Sequence, residues 1–234
     1  MRSAALAENN GAPLMNNRLV YERLHGDILS GRLLPGAKLN IAGLASALGV
    51  SAGAVREALA MLEADSLVIS APQRGWRVSE VSEEDLSQLV QARIEIEKLC
   101  LAEAIRHGDL AWEGSLVAAF HQLTRLQELE ANGGALLSTE WTQAHAQFHH
   151  AMIAGCPNGW LRRMHDFLYQ QSERYRQLSA PFSATQRDVQ AEHQALIDAM
   201  LDRDVERAQQ LIGKHLEKTA RLLLDSPLLA ARGK

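Results

Sequence analysis

The sequence predicts a mainly α protein: an N-terminal winged helix-turn-helix followed by a C-terminal antiparallel bundle of six helices. Three observations carry this. Leu44 to Leu62 reads as two short helices joined by a glycine turn. Two β-type runs, Leu67–Ser70 and Trp76–Val78, follow it on either side of the turn residues Ala71-Pro72-Gln73-Arg74-Gly75. From Ser82 onward, apolar residues keep a helical period through six segments with no strand signal among them.

Residues 1–16 form a polar tail rich in Asn and Ala, expected to be disordered. From Asn17, the positions Val20, Leu24, Ile28 and Leu29 give the stripe of a first helix, which Ser30-Gly31 and the turn Pro35-Gly36 close. Lys38 and Asn40 precede the second helix, within reach of phosphate oxygens or simply exposed. In that helix Leu44, Ala45 and Leu48 share a face, and Gly49 supplies the exit. Ser51 is the N-cap of the third helix, its hydroxyl accepting from a free backbone N–H. Val55, Leu59 and Leu62 make the buried stripe of that helix, with Ala52, Gly53, Ala54 and Arg56 expected on the other side. An αα-corner would account for the two helices alone. The hairpin behind them makes a winged helix, whose second motif helix enters the DNA major groove.

Within this domain, taken as residues 17–79, the candidate DNA contacts are Lys38, Ser51, Ala52, Arg56, Arg74 and Gly75. Arg56 leads, because a guanidinium can hold phosphate or read guanine through N7 and O6; a salt bridge to Glu57 is the competing use. At the wing tip, Gly75 lets backbone approach a groove and Arg74 suits a narrow minor groove.

Ser79-Glu80-Val81-Ser82 links the domains, and Ser82 with Asp85 resembles a capping box opening a long helix. That helix carries Leu86, Leu89, Val90, Ile94, Glu97 and Leu101 at helical spacing, and Gly108-Asp109 ends it. Further segments run from Leu110 to Ala131, Leu136 to Ala154, Gly159 to Leu178, Ser183 to Leu201 and Asp204 to Leu224. Gly133-Gly134, Gly155-Cys156-Pro157-Asn158, Ala180-Pro181-Phe182 and Asp202-Arg203 separate them. Six helices with short links, spanning residues 82–226, make the bundle.

A chain of 234 residues, 47% apolar, holds two modest domains and is not a disordered protein. No apolar run approaches a membrane span or a signal peptide, so a cytoplasmic protein is expected, with no membrane partner. Cys100 and Cys156, the only cysteines, are too few for a disulfide framework or a cysteine-built zinc site and are expected to be packing residues. The net charge of -4 opposes DNA binding only until it is divided along the chain. Residues 18–78 hold seven Lys or Arg against five acids, and residues 79–228 hold 14 against 22. A surplus of two holds DNA weakly, which favours two modules acting together in a homodimer.

Of nine histidines, His145 and His149 are four apart, so both imidazoles leave one helix face and can reach one ion. His193 and His215 lie on the fifth and sixth bundle helices, and together the four could ligate a metal inside the bundle. A chance pairing in a histidine-rich stretch that also holds His150 accounts for the same spacing. Arg93 is expected to face the same interior, where it could clamp a carboxylate or pair with Glu97 four residues on. Arg174 and Tyr175, with Arg176, could add donors from the fourth bundle helix.

The winged-helix residues resemble the GntR family of bacterial transcription regulators. The likeness rests on Gly31-Arg32-Leu33-Leu34-Pro35-Gly36, Leu44-Ala45, Leu48-Gly49-Val50-Ser51, Val55-Arg56-Glu57-Ala58-Leu59, Leu62 and Arg74-Gly75. Ala42, Ala52 and Gly53 stand where many relatives carry arginine or a polar group, which should shift readout toward Arg56, the wing and DNA shape. Residues 82–224 resemble the all-helical effector domain of the FadR branch, the FCD domain, through Ala92-Arg93, Glu95, Glu97, Phe148-His149, Glu192-His193-Gln194-Ala195-Leu196, Ala208 and His215. The resemblance implies a divalent metal held by an Asp and three His beside a small carboxylate. Here His145 stands at the Asp position, an all-imidazole set that favours Zn or Ni, or one that holds a carboxylate with no metal. The run from Gln147 to Cys156 is similar to regulators of GABA and glutarate use.

The expected protein is therefore a homodimeric transcription regulator, of the repressor type, that binds operator DNA and responds to a small organic acid. His145, His149, His193 and His215 are its candidate metal ligands, and Arg93, Glu97, Arg174 and Tyr175 its candidate effector contacts. A metal sensor is the alternative, and a His-ligated metalloenzyme a further one. No H-E-x-x-H motif supports the enzyme, and the winged helix would go unexplained.

Overall fold

A computed structural model describes residues 11–71, 75–130, 139–183 and 187–224. The chain divides into two compact units, Met1–Glu80 and Val81–Lys234.

The first unit contains α1 (Gly11–Leu29), β1 (Lys38–Leu39), α2 (Ile41–Leu48), α3 (Ala52–Ala64), β2 (Val68–Ala71) and β3 (Gly75–Val78). Helix α1 begins at Gly11, inside the stretch expected to be disordered; residues 1–10 lie outside the described residues. Pro13 falls in the first turn, where the missing N–H costs nothing because those donors have no helical partner. Val20, Leu24 and Ile28 fall on one face of α1 and pack with Val55, Ala58, Leu59 and Leu62 of α3 and with Leu39, Leu67, Val68 and Val78. Asn40 caps α2 by accepting from the Gly43 N–H at 3.1 Å. Gly49 ends it in the left-handed region at φ 65°, a conformation that costs a residue with a Cβ. Ser51 then caps α3, accepting from the Ala54 N–H at 3.1 Å. The strands form one antiparallel sheet in the order β1-β3-β2. Strand β1 was not legible in the sequence: two residues give no periodicity, and its existence rests on pairing Lys38 with Arg77 and Leu39 with Trp76.

The second unit contains α4 (Glu83–His107), α5 (Leu110–Glu130), α6 (Thr139–Ile153), α7 (Gly159–Ser183), α8 (Val189–Leu201) and α9 (Val205–Leu224). Helix α4 packs against α7 and α9, α5 against α6, and α8 against α9. Their shared core includes Leu101, Leu116, Phe148, Met152, Leu196, Met200 and Ile212, all fully or almost fully buried. Cys100 and Cys156 are buried free thiols in this core. Gly155 sits where a Cβ would stand 2.9 Å from the Ala104 carbonyl oxygen, so the turn after α6 presses closely on α4.

Two helix boundaries differ from those expected. Helix α7 runs through Ala180-Pro181-Phe182 to Ser183, with Pro181 inside its last turn. Helix α8 starts at Val189 rather than Ser183, capped by Asp188, which accepts from the Ala191 N–H at 2.9 Å. The separator Gly133-Gly134 and residues 225–226 lie outside the described residues.

Candidate functional site

The first unit presents α3 with Ser51 at its start. The Ser51 hydroxyl accepts from Ala54 and keeps its own proton to donate. Ala52 is half-buried and Gly53 exposed, but Ala54 is 6% exposed and belongs to the core rather than to the outer face. Arg56 is exposed and makes no hydrogen bond or ion pair among the described residues. The competing pair with Glu57 is not formed, because Glu57 accepts from the Asn17 amide of α1. Asn40 is spent in part as the α2 cap. Lys38 and Arg77 are Cα partners across β1 and β3 and both are exposed, a pair of cations that the chain order concealed. Arg77 also donates to the Gly36 carbonyl at 3.0 Å, which holds its guanidinium near the β1 turn. Gly75 opens β3 at φ 74°; Arg74 lies outside the described residues.

In the second unit, His145 and His149 from α6, His193 from α8 and His215 from α9 come together in the core. One ligand nitrogen from each lies within 4.8 Å of the others, and all four residues are buried. Packing brings this about in sequence-readable ways only for the first two, which share the inner face of α6. His193 reaches them through its buried stripe with Leu196, Ile197 and Met200, and His215 through the face of α9 that also buries Ala208 and Ile212.

What surrounds the quartet orients it. The His145 ring stacks on Trp141 at 4.7 Å, and its Nδ1 lies 3.2 Å from the Tyr169 hydroxyl. The His215 Nδ1 is 2.9 Å from Glu192 Oε2 and 3.0 Å from an Arg187 nitrogen. Arg187 already donates to Glu192 and to the His215 carbonyl, so the Nδ1 carries a proton that Glu192 accepts. A carboxylate behind an imidazole in this way fixes its tautomer and leaves Nε2 with a lone pair. Both ring nitrogens of His149 and of His193 have no hydrogen-bond partner among the described residues, although fully buried. Orphaned polar atoms in a core are costly, and a cation between the four rings would remove that cost.

All four imidazoles are held neutral. Burial is the main cause at each, pushing His145, His149, His193 and His215 below their ordinary value of 6.5. Neighbouring cations add to it: Arg176 at His145, Arg93 at His149 and Arg187 at His193. Glu192 is pulled down despite its burial by hydrogen bonds from His215, Arg187 and Lys218. Below pH 6.5 the unfolded chain takes up protons on these histidines that the folded chain refuses, so acid favours unfolding. Chelator-treated protein is therefore expected to hold full stability above about pH 7 and to lose about 1.4 kcal/mol per pH unit for each such histidine as pH falls. Thermal melts between pH 8 and pH 5 measure this, and added divalent metal should raise the curve without changing its slope.

Arg93 is buried beside the quartet, donating from Nε to Glu97 at 2.7 Å and from another guanidinium nitrogen to Ser172 at 2.8 Å. The intrahelical pair and the inward orientation, posed as alternatives from the sequence, are both present. Glu97 is fully buried behind Arg93; as an anion holding a guanidinium, it positions a contact to an acid and is unsuited to being one. Arg174 and Tyr175 are placed elsewhere. Both donate to Asp85 at the start of α4, while Ser82 Oγ accepts from the Asp85 N–H at 3.0 Å. The reciprocal half of the expected capping box is lost because Asp85 is engaged by α7. Tyr169 and Arg187 were not singled out from sequence, and Glu192 only as part of the run that carries the FCD likeness. Arg187 lies just ahead of α8 and reads there as an ordinary polar turn residue.

The description "Bacterial regulatory proteins, gntR family" matches residues 16–78, and "FCD domain" matches residues 88–218. The chain is 37% identical over 229 residues to the HTH-type transcriptional regulator BphR of Paraburkholderia xenovorans, covering 96% of this chain and 94% of that protein. It is 34% identical over 203 residues to the HTH-type transcriptional repressor GlaR of Escherichia coli, covering 84% and 90%. Among solved structures, a GntR regulator from Rhodococcus superposes with a TM-score of 0.72 at 22% identity, covering 91% of this chain and 99% of that one. E. coli McbR does so with a TM-score of 0.73 at 22% identity, covering 89% and 97%. These two show the fold. Members of this family are transcription regulators that bind operator DNA, not enzymes. With both halves matched and relatives aligned over nearly its whole length, the chain belongs to the GntR family of bacterial transcription regulators, with an FCD domain behind its winged helix.

Proposed function

We propose that this DNA-binding regulator acts in the cytoplasm as a homodimeric repressor whose FCD domain binds a small carboxylic acid beside a divalent metal, Zn or Ni. The observation that carries the reading is the quartet of buried neutral imidazoles, four of whose nitrogens have no partner. His145, His149, His193 and His215 would hold the ion, and the ion would supply a fixed positive charge.

That charge argues for an anionic ligand. Around the quartet, Arg93 pairs with Glu97, Arg176 with Glu173, and both Arg187 and Lys218 with Glu192, so each of these carboxylates already faces a cation. An ion held by neutral imidazoles keeps its full charge in a water-poor core, and such charges are buried only with a counter-ion. A carboxylate is the natural one, with Arg93 able to take part of it. The name of GlaR, a repressor, supports the repressor reading. On the DNA side, Arg56 and Gly75, with Lys38 and Ser51, would contact one operator half-site per protomer. Ala52 lets the backbone come close.

A metal sensor is favoured by one feature: four protein ligands fill a tetrahedral ion and leave no position for an acid. A titration of operator binding against C3 to C6 mono- and dicarboxylates, by fluorescence anisotropy in metal-loaded and chelated protein, separates the readings. Acid-dependent release that requires metal supports the proposal. Release by metal alone makes the protein a metal sensor, and no response to either discards both.

A further inference from the structure

We propose that His150, His165 and Asp166 form a second divalent-cation site on the α6–α7 face, separate from the buried quartet. Asp166 Oδ1 lies 3.2 Å from His150 Nδ1 and 3.2 Å from His165 Nδ1, and the three ligand atoms fall within 4.8 Å of one another. The His150 and Asp166 side chains are each 47% exposed, whereas His165 is fully buried. The cluster thus opens to solvent on one side and is anchored in the core on the other. Two imidazoles and a carboxylate suit Zn, Ni or Co, with water completing the coordination.

A second observation comes from the far side of His165. Its Nε2 has no hydrogen-bond partner among the described residues, yet lies 3.7 Å from Glu97 Oε1 in the core. With the proton on Nδ1, donated to Asp166, the Nε2 lone pair faces a carboxylate oxygen, two acceptors opposed in a dry interior. A cation on Nδ1 moves the proton to Nε2 and turns that opposition into an N–H···O contact with Glu97. This is the arrangement by which a carboxylate stiffens and activates a metal-bound imidazole.

The site connects to the first through Glu97, which it shares with Arg93, and through Tyr169, whose ring stacks on His165 and whose hydroxyl meets His145. Its existence does not depend on the quartet binding metal. The experiment is a titration of the full chain with zinc sulfate against a competing chromophoric chelator. Asp166→Asn and His150→Ala, both at half-exposed positions, are each expected to bind one equivalent fewer than the wild type. His149→Ala should lose a different equivalent and keep the one that Asp166→Asn loses. The proposal is overturned when Asp166→Asn and His150→Ala both match the wild-type stoichiometry, as they would if the three side chains were only hydrogen-bonded to one another. A His149→Ala protein that binds as the wild type does, beside an Asp166→Asn protein that does not, sinks the quartet and leaves this site standing.

Discussion

His149→Ala is expected to bind the metal equivalent of the quartet at least about 100-fold more weakly than the wild type, since loss of a group that merely orients a ligand already costs 10–100-fold. Its operator affinity in chelated buffer should be unchanged. His149 touches His145, His193 and His215 within 5.8 Å between ring centres, so its removal opens the middle of the array rather than one edge. Because both its nitrogens are unpaired in the core, the variant loses packing but also sheds two uncompensated polar atoms. The metal-free fold should therefore survive. Chelator competition reads the metal, anisotropy on an operator duplex reads the DNA, and wild-type metal affinity in the variant would discard the quartet as the binding site.

The second large effect lies in the other unit. Arg56→Ala should weaken operator binding about 10- to 100-fold per half-site, the worth of one bidentate arginine contact to a base. Metal affinity and the thermal midpoint should stay at wild-type values, because the side chain is exposed and pairs with nothing among the described residues. Arg56→Lys distinguishes the contact: a lysine keeps the charge for a phosphate but loses the planar fork. Recovery of affinity in the lysine variant identifies a phosphate contact, and continued loss identifies base reading. Full affinity in the alanine variant removes Arg56 from the interface.

How far the sequence foretold this follows from the range over which each signal acts. The glycine exit at Gly49 and the cap at Ser51 are local, set by one residue's backbone freedom and one side-chain hydrogen bond, and both appear as expected. So is the i, i+4 pair in α6. Strand β1, the Lys38–Arg77 juxtaposition and the place of Arg187 against His215 depend on residues 28 or more apart, where no periodicity helps. Ala54 was misplaced because a helix stripe drawn from its large residues alone is too narrow; its neighbour Val55 is buried and the apolar arc extends to it. Arg174 and Tyr175 read from the sequence only as donors available on the fourth bundle helix, with nothing local to say which partner they meet. Their own positions belong to the end where Asp85 meets them.

Helix α4 carries Arg93 about three turns, or about 16 Å, beyond Ser82, without a glycine or proline between them. It starts within three residues of the point where the chain passes from one unit to the other. An α-helix of this kind does not compress, so it is a rigid strut that holds Arg93 at a fixed distance from Ser82. Arg174 and Tyr175 clasp Asp85 in its first turn, so α7 anchors the end of that strut which lies next to the domain boundary.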